Sequence, residues 1–156
     1  MNEYEINEDT LAIVPEKNKS RVYETHSSFV INQPVSTIVE RSCEYFGSSF
    51  DGRLRGTSNL IGVTHKAPII IEETKELIFF PTTSPRLNKC SWISLRNINR
   101  YYREKEKMYI EFKNNQKMVF DVSYGVIDNQ ILRATRLESV LRQRKTKNAK
   151  NKGKKM

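Results

Sequence analysis

Residues 108–123, MYIEFKNNQKMVFDVS, carry a clear structural signal. Two short runs rich in β-branched and aromatic residues, 108–112 and 118–122, flank Asn114-Asn115-Gln116, and asparagine-rich segments of this kind favour turns. We therefore predict a β-hairpin. Ser123 then has the side chain of a helix N-cap, and apolar residues recur beyond it at helical spacing up to about Lys145. These residues are Ile127, Ile131, Leu137, Val140 and Leu141.

Upstream of the hairpin, the chain reads as short strands around one helix. The predicted strands are 4–6, 10–14, 21–25, 28–31, 68–71, 76–80 and 90–95. A central helix is expected to open at Gln33-Pro34 and to stop near Gly47, because Pro is tolerated in the first turn and Gly suits the C-terminal end. The glycine-punctuated stretch Ser48–Leu60 fits either a loop or an interrupted second helix.

Together these elements predict the α+β class, with antiparallel sheet, a central helix, a long C-terminal helix and a disordered basic tail. The length of 156 residues suits one domain, which we expect over residues 1–145. Residues 146–156 are lysine-rich and have no apolar anchor before Met156, so we expect them to be disordered.

The charge of the chain points to an anionic partner. Lys and Arg number 27 against 18 Asp and Glu, a net charge of +9. Eight of the bases and no acid lie in residues 142–156, and a second concentration lies in residues 86–117. Nucleic acid is the first partner that this balance suggests, and an acidic membrane surface is the second. Apolar runs are far shorter than the roughly 20 residues of a membrane-spanning helix, and the acidic N-terminus is unlike a signal peptide. We therefore expect a cytoplasmic protein.

The sequence contains no recognisable enzyme motif, so we predict a non-enzymatic protein with no catalytic residues and no cofactor. Cys43 and Cys90 lie far apart, and neither forms a ligand pair with His26 or His65. No metal site is predicted. Both cysteines are expected to be buried structural thiols, and Trp92 is expected to be a core or interface anchor.

Residues 47–57 are the most functional-looking stretch. Arg53 and Arg55 lie between Gly52 and Gly56, and arginines with little surrounding bulk can enter the narrow, negative minor groove of A/T-rich DNA. The alternative is that these glycines only cap and turn the chain. Candidate phosphate contacts are hydroxyls near the glycines and bases downstream of them. They are Ser48, Ser49, Lys66, Arg86, Lys89 and Arg96.

Several motifs occur together in an order that is similar to one known family. They are residues 41–50, Gly52-Arg53, Gly56-Thr57, residues 64–69, Phe79–Thr82, Cys90–Ser94, and Asn129-Gln130 with Arg133. The chain resembles the ComK family of competence transcription factors. The resemblance implies an activator of DNA-uptake genes that binds paired A/T-rich boxes of double-stranded DNA mainly through the minor groove. It also implies dimers that form tetramers on DNA, a nucleoid location, and RNA polymerase and a protease adaptor as partners.

The C-terminal segment departs from the longer members of that family. Those members continue into an aromatic segment associated with capture by the adaptor, whereas this chain has no aromatic residue after Tyr124. A lysine-rich end instead favours additional non-specific affinity for DNA. The alternative to a DNA-binding activator is a non-enzymatic interaction module or one that binds an anionic membrane surface, since antiparallel strands ending in a helix also build such domains.

Overall fold

The computed structural model describes residues 2–154, with side chains up to Lys150. The chain forms nine strands and three helices over this range. In chain order they are β1 (Thr10–Glu16), β2 (Lys19–Glu24), β3 (Ser28–Ile31), α1 (Val35–Tyr45), α2 (Phe50–Ile61), β4 (Ile69–Glu72), β5 (Leu77–Pro81), β6 (Trp92–Ser94), β7 (Ile98–Glu104), β8 (Lys107–Phe112), β9 (Lys117–Phe120) and α3 (Tyr124–Lys154).

The strands form two antiparallel sheets. Six strands lie in the order β3-β2-β1-β6-β5-β4, and three lie in the order β7-β8-β9. In the larger sheet, β6 joins the first three strands to the β4–β5 hairpin, with Ile13 opposite Trp92 and Phe80 opposite Ile93. The predicted α+β class with antiparallel sheet is confirmed, including the predicted hairpin, which corresponds to β8 and β9.

Two hydrophobic cores lie on opposite faces of the six-stranded sheet, because successive strand residues point to opposite sides. Phe79 and Trp92 point towards α1, where they pack with Ile38. The adjacent residues Phe80 and Ile93 belong to the second core. That core also contains apolar residues of the three-stranded sheet and of α3. The molecule therefore has three layers, with the large sheet in the middle.

The central helix is confirmed as α1, and it ends as expected. The N–H of Gly47 donates to Glu44 and that of Ser48 donates to Cys43, which completes a C-terminal cap with Gly47 at φ +86°. The stretch Ser48–Leu60, for which the sequence allowed either a loop or an interrupted second helix, forms most of the helix α2. It starts because the Ser49 hydroxyl accepts a hydrogen bond from the Gly52 N–H at 2.9 Å.

The N-terminal segment and β7 differ from the sequence prediction. Residues 4–6 are not a strand, since the Ile6 N–H donates to the Ser42 hydroxyl of α1 and the Tyr4 hydroxyl donates to Glu24. Side chains therefore hold this segment in place of a strand partner. Conversely, residues 98–104 form a full strand, β7. In the sequence, Tyr101-Tyr102 and the alternating charges after them indicate only a strand end and an exposed turn.

The C-terminal helix is longer than predicted. Ser123 caps it, with its hydroxyl accepting from the Val126 N–H, and Ile127, Leu137 and Leu141 face the core as expected. The helix continues through residues 146–154 instead of ending near Lys145. These residues are mostly Lys, Asn and Ala, with no proline to end the helix. The last two residues of the predicted tail lie outside the described range. Among the described residues, no helix is long and apolar enough to cross a membrane.

Candidate nucleic-acid interface

The N-terminus of α2 brings together Ser48, Ser49 and Gly52. A Cβ at Gly52 would lie 3.0 Å from the Ser49 hydroxyl and 3.1 Å from the Ser48 hydroxyl, so a larger residue would disturb the cap. Gly56 differs, since a Cβ there would meet open space. The helix cap therefore explains why residue 52 is a glycine. Gly56 is not explained in this way, and its missing side chain leaves the surface beside Arg55 open.

Arg53 is mostly buried against β4. Its side chain is 16% exposed. The guanidinium donates through Nη2 to the Ile71 carbonyl at 3.4 Å, and its Nη1 lies 3.5 Å from Glu73 Oε1. The buried Nε has no hydrogen-bond partner among the residues that the structure describes. In this conformation Arg53 joins α2 to β4 and the following turn, so it is not a freely extended side chain.

Arg55 lies two positions further along α2, on a different side of the helix, and is exposed. No hydrogen bond or ion pair holds its guanidinium within the part of the chain that the structure describes. The helix itself is fixed, because the Thr57 hydroxyl donates to the Pro68 carbonyl at 2.6 Å in the protein interior. Arg55 is thus a free cation on a rigid helix.

The turn between β4 and β5, residues 72–76, is an acidic turn that collects basic side chains from three segments. Besides Arg53, Arg96 donates to the Lys75 carbonyl at 2.8 Å. From α3, Arg142 donates to Glu76 and Lys145 donates to the Glu73 carbonyl. Sequence reasoning missed Arg142 and Lys145, which lie about 70 residues from the acidic turn. The acidity of the turn was the available signal, but it does not identify the partners.

The loop between β5 and β6 carries Arg86 and Lys89, both exposed. Arg86 lines a cleft of about 390 Å³ with Phe50 and Trp92, whose rings meet edge to face at 5.9 Å. Arg86 therefore lies near the first residue of α2. Lys89 borders a different cleft, together with Val119 of β9. The prediction that Trp92 is a core anchor is confirmed, since the residue is 2% exposed.

Lys66 lies where α3 contacts the segment between α2 and β4. Its backbone has φ +49°, and its carbonyl accepts a hydrogen bond from Gln130 at 2.8 Å. The same amide group donates to the Pro81 carbonyl at 2.7 Å, while Arg133 donates to the His65 carbonyl. Three of the motifs described above therefore meet at one point of the fold. They are residues 64–69, Phe79–Thr82, and Asn129-Gln130 with Arg133.

The eight candidate residues accordingly occupy separate places. The α2 N-terminus holds Ser48 and Ser49 with Arg86 nearby, and the acidic turn holds Arg53 and Arg96. Lys66 is beside α3, Lys89 is at the second cleft, and Arg55 projects from α2. Residues that could hold a metal are not grouped, since no cluster of three His, Cys, Asp or Glu side chains occurs in the described part of the chain.

Cys43 and Cys90 are both buried and unbonded to each other, as predicted. Burial raises the pKa of the Cys43 thiol to about 11, and burial also raises the pKa of Cys90. Both cysteines therefore act as apolar core residues at neutral pH.

Comparison with known proteins agrees with the motif pattern. A model of the ComK protein family matches residues 1–146. The competence transcription factor of Bacillus subtilis (strain 168) is 32% identical to this chain over 149 residues, which cover 92% of this chain and 78% of that protein. No solved structure matches. These findings place the protein among the relatives of a bacterial competence transcription factor. The chain belongs to the ComK family.

Proposed function

We propose that the protein is a DNA-binding transcriptional activator of competence genes. It binds paired A/T-rich boxes of double-stranded DNA mainly through the minor groove, and it acts without catalysis. Membership of a family that includes a named transcription factor supports this function, as does the net charge of +9. The structural observation that carries the groove contact is Arg55, which has no acidic partner among the described residues. It lies on a fixed helix beside a glycine that leaves its surroundings open.

In this proposal Arg53 is the second groove arginine. Its ion pair with Glu73 is long, and the glutamate side chain is 56% exposed, so the pair contributes little to stability. A strongly negative minor groove competes with that carboxylate for the guanidinium. Binding would therefore release Arg53 from the acidic turn, and removal of Glu73 should favour that release.

The remaining candidates contact phosphates. The first turn of α2 presents backbone N–H groups and the positive end of the helix dipole, so a phosphate can approach Ser48 and Ser49. Arg86 lies near this helix start. Lys66, Lys89 and Arg96 would extend the contacts along the backbone of the duplex, and the cationic end of α3 would add affinity that does not depend on sequence.

Two boxes require two copies of the chain, so we propose a dimer that assembles into a tetramer on DNA. The protein is then located in the cytoplasm at the nucleoid. As an activator it contacts RNA polymerase, and a protease adaptor is a further partner that the family suggests.

The test is a titration of two duplexes, one with paired A/T boxes and one G/C-rich, each at two salt concentrations. Arg55→Ala should weaken binding to the A/T duplex by about 1–3 kcal/mol, the usual contribution of one good groove contact. Arg136→Ala is the matched control, because Arg136 is an exposed arginine of α3 outside the candidate set. The control should keep the A/T preference of the wild type.

Equal discrimination between the two duplexes by Arg55→Ala and by the wild type would refute the groove assignment. Binding of both duplexes with the same affinity, lost at higher salt, would mean that charge alone accounts for the interaction. Anionic vesicles added as a competitor test the membrane-surface alternative. Tighter binding to the vesicles than to DNA of equal charge would favour it.

A further inference from the structure

A small cleft, the α1 cleft, lies against the N-terminus of helix α1. It has a volume of about 120 Å³ and is bordered by residues 34–36, by residues 17–19 and by residues 85–88. The helix begins at Val35 after Pro34, which provides no side-chain cap, and its first turn contains no acidic residue. The first N–H groups of α1 and the positive end of its dipole are therefore not neutralised by a side chain of the helix itself.

The charged residues that border the α1 cleft are all basic. Lys17 and Lys19 come from the β1–β2 hairpin, and Arg86 comes from the loop between β5 and β6. None of the three forms an ion pair within the part of the chain that the structure describes. The neighbouring carboxylate of Glu16 is held at 2.7 Å by Arg21. Three unpaired positive charges beside a helix N-terminus form an arrangement that an anion stabilises.

The indole N–H of Trp92 is a donor that the fold leaves without an acceptor. Trp92 is 2% exposed, and its Nε1 forms no hydrogen bond with any described residue. The nitrogen is not sealed inside the core, because Arg53 Nε is the only fully enclosed side-chain nitrogen or oxygen of the described residues that lacks a partner. The surface that Trp92 retains lies in the α1 cleft and in the adjoining cleft with Phe50, so the N–H faces them. A nearly buried donor of this kind is stabilised when a ligand supplies the acceptor.

Lys17 has a backbone conformation that lysine rarely adopts. Its φ is +58°, in the left-handed region, and Lys17-Asn18 form the two-residue turn between β1 and β2. Such turns favour Gly, Asn or Asp at a position of positive φ, because these residues tolerate it best. The turn itself therefore does not explain the lysine, whereas an anion in the α1 cleft does.

We propose that the α1 cleft binds a phosphate group. The three bases neutralise its charge, while the first N–H groups of α1 and the indole N–H of Trp92 donate hydrogen bonds to its oxygens. Several acceptor oxygens on one tetrahedral group match donors that converge from three segments, and no acid among the described residues borders this cleft. A carboxylate is a poorer occupant, because it offers two oxygens and a single charge.

The adjoining cleft has room for the group that carries the phosphate. Its volume is about 390 Å³, and it shares Arg86 and Trp92 with the α1 cleft. Val39 and Phe50 give it apolar walls, and Glu40 is the one acid that borders it among the described residues. The phosphate can therefore belong to a small ester whose apolar part lies against Phe50, or to the backbone of a duplex.

The two sources of the phosphate differ in how they relate to the proposed function. If the source is a duplex, the α1 cleft adds Lys17 and Lys19 to the DNA contact of Arg86, and the inference rests on the proposed DNA binding. If the source is a small ester, the site does not depend on duplex recognition. The experiment therefore measures both.

Trp92 is the only tryptophan of the chain, so its fluorescence reports on the α1 cleft directly. The test titrates the full chain with sodium phosphate, with sodium chloride at equal ionic strength as the reference. Phosphate should change the emission of Trp92 saturably, and chloride should not. Phenyl phosphate, titrated by calorimetry, should bind more tightly than inorganic phosphate, because its ring gains contact with Phe50.

Matched variants separate the site from general charge. Lys17→Asn removes one base and suits the left-handed backbone, so the fold is retained, and the affinity for phosphate should fall about 3- to 10-fold. Lys105→Asn is the control, because Lys105 is also an exposed lysine with positive φ, +51°, in the turn between β7 and β8. It should bind phosphate as the wild type does. Ser36→Asp places a carboxylate in the first turn of α1, where it favours the helix but competes for the same N–H groups, so phosphate binding should be lost.

Several results would overturn the proposal. One is an affinity for phosphate that is the same in wild type, Lys17→Asn and Ser36→Asp. Another is an equal loss in Lys105→Asn. A third is the absence of any saturable binding of inorganic phosphate, phenyl phosphate and duplex at the α1 cleft.

An A/T duplex, titrated alone and as a competitor, identifies the source of the phosphate. A duplex that displaces inorganic phosphate and binds more weakly to Lys17→Asn assigns the site to the DNA backbone. Phosphate binding that persists in protein saturated with duplex assigns the site to a small ester. If phosphate binds as expected and the duplex does not bind at all, the proposed function fails while the phosphate site stands.

Discussion

Replacing Gln130 with alanine should destabilise the protein strongly, because its side chain joins three parts of the fold. The residue is 1% exposed, and its amide nitrogen donates at 2.8 Å to the Lys66 carbonyl and at 2.7 Å to the Pro81 carbonyl. Its oxygen accepts from Arg133 at 3.4 Å. Gln130→Ala removes these bonds and leaves the buried Pro81 carbonyl and the half-buried Lys66 carbonyl without this donor.

The magnitude follows from the two short bonds. Each net hydrogen bond contributes about 1 kcal/mol, and a buried carbonyl left without its donor costs about 1–3 kcal/mol. We therefore expect the free energy of unfolding to fall by about 2–4 kcal/mol. With a urea dependence of about 2 kcal/mol per molar, the unfolding midpoint shifts by about 1–2 M.

Urea unfolding followed by circular dichroism measures this shift. Asn129→Ala is the control, because Asn129 is the exposed neighbour on the same helix turn and should change stability by less than about 0.5 kcal/mol. Gln130→Leu keeps most of the volume but has no donor, so it should be nearly as unstable as Gln130→Ala. A loss below about 0.5 kcal/mol in Gln130→Ala would refute the reasoning, since the amide would then not be what joins α3 to the two segments.

Two further predictions follow from pKa values that the fold raises. Because burial raises the pKa of Cys43 to about 11, native protein at pH 8 should resist alkylation by iodoacetamide, whereas protein unfolded in urea should react at both cysteines. Mass spectrometry counts the adducts. Rapid labelling of Cys43 in the native protein would contradict its burial. The hydrogen bond from the Tyr101 hydroxyl to Asp128, with some burial, raises the pKa of that phenol from 10.0 to about 12. The neutral phenol stabilises the fold fully below pH 10 and stops doing so as pH rises through 12, so the stability difference between wild type and Tyr101→Phe should shrink over that interval. A difference that is constant from pH 9 to pH 12 would exclude this link.

Local signals in the sequence were sufficient for most elements. The strand Ser28–Ile31 has the predicted bounds, and α1 and the N-terminal start of α3 lie where proline, glycine and serine indicated them. These features depend on neighbours within a few residues, which is why a single sequence reveals them. The errors arose where distant groups decide the outcome. Residues 4–6 look like a strand, but the Ser42 hydroxyl of α1 takes the hydrogen bond that a strand would have made.

The candidate interface likewise has some features that the sequence reveals and others that only the fold decides. Composition and motif order were enough to indicate the family and an anionic partner, because charge and residue identity are properties of the chain alone. Arg53 and Arg55 are equivalent in sequence, yet one is held against β4 and the other is free. The grouping of basic side chains at the acidic turn was likewise invisible, since it is assembled from segments far apart in the chain. Tertiary packing alone decides which cations and rings remain available to a partner.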